Sequence, residues 1–400
     1  MPQILDFAQV LAASMGRRLT YAARVMQQGL GFSSAIRGEA AAREAVVAAR
    51  VSLGTAPEHA LVFATGAFGL AIDDVLDAVE AELGGVPVHG GLFSGVFAAG
   101  GAAVENPGLA VALLAGAELH AVLLDELPID DPHAAEEVHD HLGVALGERD
   151  LLFVAADFAH HDASAFFASL AKHAGEGVRA LGAGCVAAGE GASMVWSHGR
   201  RSAGGVLALA IRAGAAPDVS LVARCRPIDE PRVVSRARGN WVSGIGEADA
   251  VDVLRAAARG AHLAETPDSL RRLVMEVAHP GGSALCPIAG VDFDRGAVLI
   301  PGAVAAGDRV RVAVLDVVAS RENLERLGAN RGEAPAGLGL YLSGTGSDPA
   351  AAGEFEREAR WFAKRGAVGI ATAWIFGPTR VLGGSSQPLP ACSLLASMAD

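Results

Sequence analysis

The sequence predicts an α/β fold with mixed sheets, built by repeating one strand–helix–strand–hairpin unit. Three observations lead there. Short apolar runs alternate with segments of helical period, and glycine closes most of them. That order recurs three times along the chain. Hydrophobic residues make up 51% of 400 positions against 19% charged, enough for a large core, and 50 glycines suit tight turns and close backbone packing.

In the first copy Gly38–Leu53 is a helix rich in Ala, Glu and Arg with no internal proline or glycine. Leu61–Thr65 is a buried strand. Ile72, Val75, Leu76, Val79 and Leu83 share one face of a helix over Ala71–Leu83, which Gly84-Gly85 ends. Val86-Pro87-Val88 opens the next strand, Pro87 marking a start or an edge. Strands follow near Leu92–Ala98, Leu109–Leu114 and Leu119–Leu124. Asp130-Asp131-Pro132 starts a helix that runs to Leu146. The second copy has a strand at Leu151–Ala155, a helix at Ser164–Ala174, a strand at Val178–Leu181, the turn Gly182–Cys185, then strands at Met194–Ser197 and Gly205–Ile211. The third has a strand at Gly339–Ser343, a helix at Ala350–Lys364 and a strand at Val368–Phe376. Side by side, LVFATGAFG with VPVHGGLFSG, LLFVAADFA with VRALGAGCVAAG, and LYLSGTGSD with AVGIATAWIFG read as duplications of one unit.

The intervening Val219–Arg331 is strand-rich: Ser220–Cys225, Arg232–Ala237, Asn240–Ser243, Pro287–Asp292, Ala297–Ile300 and Arg309–Leu315. Helices are expected there at Glu247–Arg259, Ser269–Val277 and Ser320–Leu327. A composition break at Ala213–Pro217 sets a boundary. The expected organisation is a helical extension over residues 1–30, a domain of two copies over 31–215, and a domain with the third copy over 216–400.

Charge excludes some functions. With 32 basic and 45 acidic residues the formal charge is −13, and no basic cluster offers a nucleic-acid footprint. The apolar stretches Gly108–Ala117, Ala203–Ile211 and Ala367–Pro378 are too short to span a membrane, although mean hydropathy is +0.34. Arg17, Arg18 and Arg24 follow rather than precede the apolar run, unlike a secretory signal; a transit peptide and a plain helix both remain open. Cys185, Cys225, Cys286 and Cys392 lack zinc-site spacing and are too few for a disulfide framework. Buried, reduced thiols in a cytoplasmic protein are expected.

Several stretches carry a family resemblance. RCRPIDEPRVVSRARGNWVSGIGEADAVDVL, over Arg224–Leu254, resembles the segment joining the two halves of FIST proteins, with Cys225, Pro227, Ile228, Gly239 and Asn240 matching. Cys286–Asp308 resembles the family's strand–turn–strand. Tyr341–Gly346 and Gly369–Gly377 resemble its last strand–helix–strand, and Gly31–Ser34 with Val86–Gly95 its opening strand and first glycine turn. The resemblance covers residues 31–385. It implies a FIST N-type domain over 31–215 and a FIST C-type domain over 216–400. It also implies a sensory protein that binds a small ligand, such as an amino acid, and signals in trans to a partner such as a histidine kinase. Haem-based sensing of nitric oxide is the alternative it carries. Two turns depart from the family pattern: Ser343–Ser347 and Gly377-Pro378-Thr379 lack the relatives' cysteine, arginine and glutamate.

Candidate ligand contacts follow from the glycine turns, whose consecutive N–H groups and nearby hydroxyls can receive an anion. They are His89, Gly90, Ser94, Gly184, Cys185, Tyr341, Ser343, Thr345 and Trp374, with the ligand placed between the domains. Helix starts such as that after Gly344–Gly346 add a second route to anion binding. His198 is the candidate haem ligand. Neither metal spacing nor a G-x-S-x-G elbow is present, and His160-His161-Asp162 reads as a solvated loop. An enzyme using a cysteine, with Cys185 as the candidate, or a metal is the remaining alternative. No catalytic residue, metal ligand or firm cofactor is assigned.

Overall fold

The computed structural model describes residues 25–125, 133–158, 163–174, 177–187, 193–212, 214–270, 272–279, 282–300, 304–331, 337–344, 349–372, 375–376 and 392–398. The first unit holds β1 (Gln27–Ser33), α1 (Gly38–Leu53), β2 (His59–Thr65), a 3₁₀ turn at Gly66–Ala71, α2 (Ile72–Leu83), β3 (Val88–Phe93), β4 (Gly95–Ala98), β5 (Gly101–Val104) and β6 (Leu109–Ala115). The second holds β7 (Glu118–Leu124), α3 (Ala134–Leu142), β8 (Asp150–Ala156), α4 (Ala163–His173), β9 (Arg179–Gly184), β10 (Met194–Ser197), β11 (Arg200–Ala203) and β12 (Val206–Arg212).

After β13 (Asp218–Ala223) comes an accessory unit. It contains β14 (Cys225–Pro227), β15 (Arg232–Arg238), β16 (Trp241–Ile245), β17 (Ala248–Asp249), α5 (Ala250–Gly260), α6 (Pro267–Leu270), β18 (Leu273–His279), β19 (Gly282–Pro287), β20 (Gly290–Asp292), β21 (Ala297–Leu299) and β22 (Arg309–Leu315). Its strands form a nine-stranded sheet around a core of its own, including Val242, Leu254, Met275 and Val312. The third unit follows with α7 (Val317–Arg331), β23 (Gly339–Gly344), α8 (Pro349–Ala363), β24 (Ala367–Thr372), β25 (Ile375–Phe376) and β26 (Cys392–Ser397).

The mixed α/β architecture matches the sequence expectation, and each unit is organised around one parallel strand pair. Val62 faces Gly90, Val154 faces Gly182 and Tyr341 faces Gly369, each partner twenty-eight residues on. An antiparallel strand flanks each pair: β6 on β2, β12 on β8 and β26 on β23. The other edge is completed by a different unit. The β4–β5 hairpin, leaving β3, pairs with β24. β25, leaving β24, pairs with β9. The β10–β11 hairpin, leaving β9, pairs with β3. The exchange runs first to third, third to second, second to first, so it closes on itself. The halves expected at 31–215 and 216–400 therefore share two sheets.

One register rule governs all three crossings. The incoming strand sets an aromatic opposite the glycine of the parallel pair: Trp196 opposite Gly90, Phe376 opposite Gly182 and Phe97 opposite Gly369. The inner faces of the three sheets share one apolar core, with Phe63, Phe153 and Leu342 among its buried members. Phe63 meets Phe93 and Phe153 at ring-centroid distances of 5.6 and 6.1 Å.

Four expectations need correction. Residues 1–24 lie outside the described residues, but β1 begins at Gln27, inside the expected helical extension. Gly29 and Gly31 explain this: a Cβ on either would stand 2.1 Å from Ala49 O or 1.9 Å from Ala45 O of α1, so the strand can lie directly on that helix. Ser269–Val277 is not a helix. Only Pro267–Leu270 is helical, and Leu273–His279 is a central strand between β19 and β22, whose ladders on both sides outweigh local propensity. The described helix α3 ends at Gly143, in the left-handed region at φ 65°, short of Leu146. Finally, Val368–Phe376 is two strands in two sheets, because the chain changes sheets between them.

Candidate functional site

The exchange brings the carboxyl ends of the three parallel pairs together. Val186 N–H donates to Leu92 O, near the end of β3, at 2.9 Å. Cys185 N–H donates to Ala156 O, at the end of β8, at 2.7 Å. Thr372 Oγ1, at the end of β24, donates to Gly184 O at 2.5 Å. Gly95, opening β4, faces Ala371. First, second and third units thus touch in a closed ring. Gly66, just past β2, belongs to it: a Cβ there would lie 3.0 Å from Val186 Cγ2.

Four of the nine expected contacts, Ser94, Gly184, Cys185 and Ser343, fall at these strand ends. Ser94 is half-buried at the β3–β4 junction, and its carbonyl accepts from Glu105 N–H at 3.0 Å. Gly184 and Cys185 are buried at the end of β9. Ser343 is buried beside Gly344, which faces Thr372. Thr345 and Trp374 lie outside the described residues, as do Gly377–Thr379 and His160–Asp162.

The other three lie elsewhere. Gly90 is a packing glycine within β3. Tyr341 is wholly buried under α8, its ring stacked on Phe362 at 4.1 Å and its hydroxyl donating to Glu358. His89 is also fully buried, toward the other end of β3. Its Nδ1 meets Ser197 Oγ at 2.9 Å, and its ring lies 4.7 Å from that of His198 and 5.9 Å from that of His59. Burial, helped by His198 and His59, pushes its pKa down to about 3.

Beneath the end of β23 lies a charge pair that sequence reasoning missed. Arg224, between β13 and β14, is buried, and its guanidinium donates to Ser343 Oγ at 2.6 Å and Gly344 O at 3.1 Å. It also pairs with the buried Glu358 carboxylate of α8, which accepts from Tyr341 and, at 2.9 Å, from Ser320 Oγ. Burial alone would lower the Arg224 pKa; the Glu358 charge and Tyr341 reverse this and raise it. The sequence carried a signal. Glu358 sits with Phe355, Ala359 and Phe362 on the buried face of α8, where a carboxylate needs a partner. Asp157 and Thr372, also missed, bring a carboxylate and a hydroxyl to the strand ends; short polar residues past a strand give no stronger local sign.

Burial raises the Cys185 thiol well above its usual range, with nearby Asp157 adding to the effect. Burial likewise lifts Cys225 and Cys286 to about 12. These thiols stay protonated at neutral pH, opposite to a cysteine nucleophile. Mass-spectrometric mapping after iodoacetamide treatment should find Cys185, Cys225 and Cys286 unlabelled in the native protein and labelled in denaturant. Rapid native labelling of Cys185 would restore the enzyme reading.

A cavity of about 390 Å³ opens elsewhere, between the β4–β5 turn and α8, lined by Gly100, Gly101, Glu356, Arg360 and Lys364 among others. It holds none of the nine expected contacts. Among the described residues no three His, Cys, Asp or Glu side chains are grouped to hold a metal, and no helix is long and apolar enough to cross a membrane.

Comparison with known proteins gives a family match and distant solved structures. The FIST N domain model matches residues 58–247. No curated protein matches the chain. The crystal structure of cyanuric acid hydrolase from A. caulinodans is similar at 14% identity and a TM-score of 0.27, over 49% of this chain and 72% of that one. A second cyanuric acid hydrolase structure, described as an innovation by structural concatenation, is similar at 7% identity and a TM-score of 0.31, over 94% of this chain and 100% of that one. The matched stretch spans β2 to β16, including both parallel pairs of the first two units and the β10–β11 crossing. Residues 58–247 match the FIST N domain, and the FIST domain is a family of small-ligand-binding sensory domains.

Proposed function

We propose that the chain is a sensory protein that seats a small polar ligand, such as an amino acid, at the joined carboxyl ends of its parallel strand pairs and signals in trans to a partner such as a histidine kinase. One observation carries this reading: the ring of contacts among Leu92, Val186, Gly184, Thr372, Gly95 and Ala371. In open α/β sheets, ligands sit beyond the carboxyl ends of strands where the chain changes direction. Here three such ends meet, each handing its chain to another sheet. Ser94 and Thr372 supply hydroxyls there. Asp157, half-buried past β8, supplies a carboxylate suited to an ammonium group.

A thermal-shift screen with an amino-acid library tests the reading. A ligand at a hundred times its Kd stabilises the folded state by about 2.7 kcal/mol, a clear rise in Tm. Asp157→Asn should abolish the rise for the amine-bearing ligand while leaving the ligand-free Tm close to that of the parent. No shift with any amino acid at millimolar concentration would sink amino-acid sensing.

A further inference from the structure

The exchange that completes the sheet of the first unit is sealed by histidines. The β3–β10 ladder has only three register pairs, and one of them, His89 with Ser197, is also joined side chain to side chain. His198, which follows Ser197, is held in the left-handed region at φ 50°, and its N–H donates to Val88 O at 3.1 Å. His59, on β2, closes the group from the other side. The Nε2 of His89 and the Nδ1 of His59 are both buried with no hydrogen-bond partner. A buried nitrogen without a partner is costly, and giving it a proton makes it a buried cation.

We propose that His59 and His89, packed beside His198, form a proton-operated latch: proton uptake by this pair frees the β10–β11 hairpin from β3. The charges facing the cluster define its response. His89 feels His198 and His59, both potential cations that disfavour its charging. His59 feels Glu58, which favours its charged form, and His198 and His120, which oppose it. His120 on β7 is itself engaged with Glu118 at 3.2 Å. Burial is the largest influence on both His59 and His89 and holds both below the usual value of 6.5.

The sign follows from linkage. The closed state binds protons less readily than an opened state in which the His89 and His59 rings reach water near their ordinary pKa. The latch is therefore fully closed above pH 6.5 and weakens as pH falls from 6.5 toward 3. For His89 alone, moving from pH 7 to pH 5 multiplies the opened population by about 25. The hairpin's other side-chain ties include Arg200 with Asp125 and Arg201 with Asp73 and Asp77, exposed pairs of small strength. Opening would loosen Cys185 and Val186, which begin the crossing. The latch would thus couple acidification to the strand-end ring, whether or not that ring binds an amino acid.

Hydrogen exchange by amide, corrected for the intrinsic pH dependence, tests it on the full chain. The amides of Trp196 and His198, which face β3, should lose about 25-fold in protection between pH 7 and pH 5, while those of Leu152–Val154 in β8 keep theirs. His89→Gln and His59→Asn should each flatten this response, and His59→Asn, at a less buried position, serves alone where His89→Gln does not fold. Equal loss in β8 and β10, or an unchanged pH response in the variants, overturns the latch.

Discussion

Gly90→Ala should destabilise the protein by more than about 3 kcal/mol, at or beyond the upper end for overpacking a core. A Cβ at residue 90 would stand 1.7 Å from Val62 O and 2.9 Å from Trp196 Nε1. Val62 belongs to the β2 ladder and is paired with both β3 and β6, so its carbonyl cannot retreat without breaking a sheet. The same lock recurs in the other units. A Cβ on Gly369 would meet Phe97 Cε1 at 2.1 Å and Tyr341 O at 2.8 Å, and one on Gly182 would meet Phe167 Cζ at 2.2 Å. Gly182→Ala has the mildest expected cost of the three, because its nearest obstacle is a ring that can shift. Gly353→Ala is the control. It lies in α8 with nothing within 4 Å of its Cβ and should stabilise by about 0.5–1 kcal/mol, as glycine in a helix interior costs backbone entropy. Urea denaturation of the four variants checks the ranking. A Gly90→Ala protein as stable as the parent would mean that the crossing at β10 is not packed as described.

These glycines show what a single sequence can and cannot disclose. The units themselves were legible, because each is a local pattern: Gly38–Leu53 is helical at the predicted boundaries, and Arg309–Leu315 is a strand at its predicted boundaries. Gly90 and Gly182 were visible as members of glycine-rich turns, and Gly369 as a residue of the expected strand Val368–Phe376. Their role was not: Gly90 and Gly369 make room for an aromatic from another unit and Gly182 for Phe167 of its own, and Gly369 is separated from Phe97 by most of the chain. No periodicity encodes that pairing. The misread strand at Leu273–His279 has the same origin. Its residues satisfy a helical pattern, and only β19 and β22 on either side decide against it. For the candidate site, the glycine turns directed attention to Ser94, Gly184, Cys185 and Ser343, which do lie at strand ends. Tyr341 shares a face of β23 with Ser343 and joins the same Arg224–Glu358 network, one turn of the pleat further from the strand end, while His89 sits toward the other end of β3. Glu358 was readable in principle as a carboxylate on an apolar helix face. Its partner, Arg224, gave no local sign.

Glu358→Ala should cost about 3–5 kcal/mol, the range for removing one member of a buried ion pair. The loss has three parts. Arg224 would be left as a buried, uncompensated charge, its Nε already without a partner. Tyr341 and Ser320 would lose the acceptor for their hydroxyls. A hole would open beside Phe355 and Phe362 in the outer core. Glu358→Gln keeps the shape and an acceptor oxygen but removes the charge, so it should recover part of the loss. Replacing both partners, Arg224→Met with Glu358→Met, should be milder than Glu358→Ala, because no lone charge remains. Urea unfolding of the three variants measures this order. The pair also reaches the proposed ligand site, since Arg224 holds Ser343 Oγ and Gly344 O at the end of β23. A purely structural pair predicts that the double methionine variant keeps the parent's ligand-induced Tm rise. A positioning role predicts that this rise falls even though the protein is folded, because the strand end facing Thr372 has lost its anchor. The second outcome is expected here: a hydroxyl and a carbonyl at a strand end are fixed only as well as the group bonded to them.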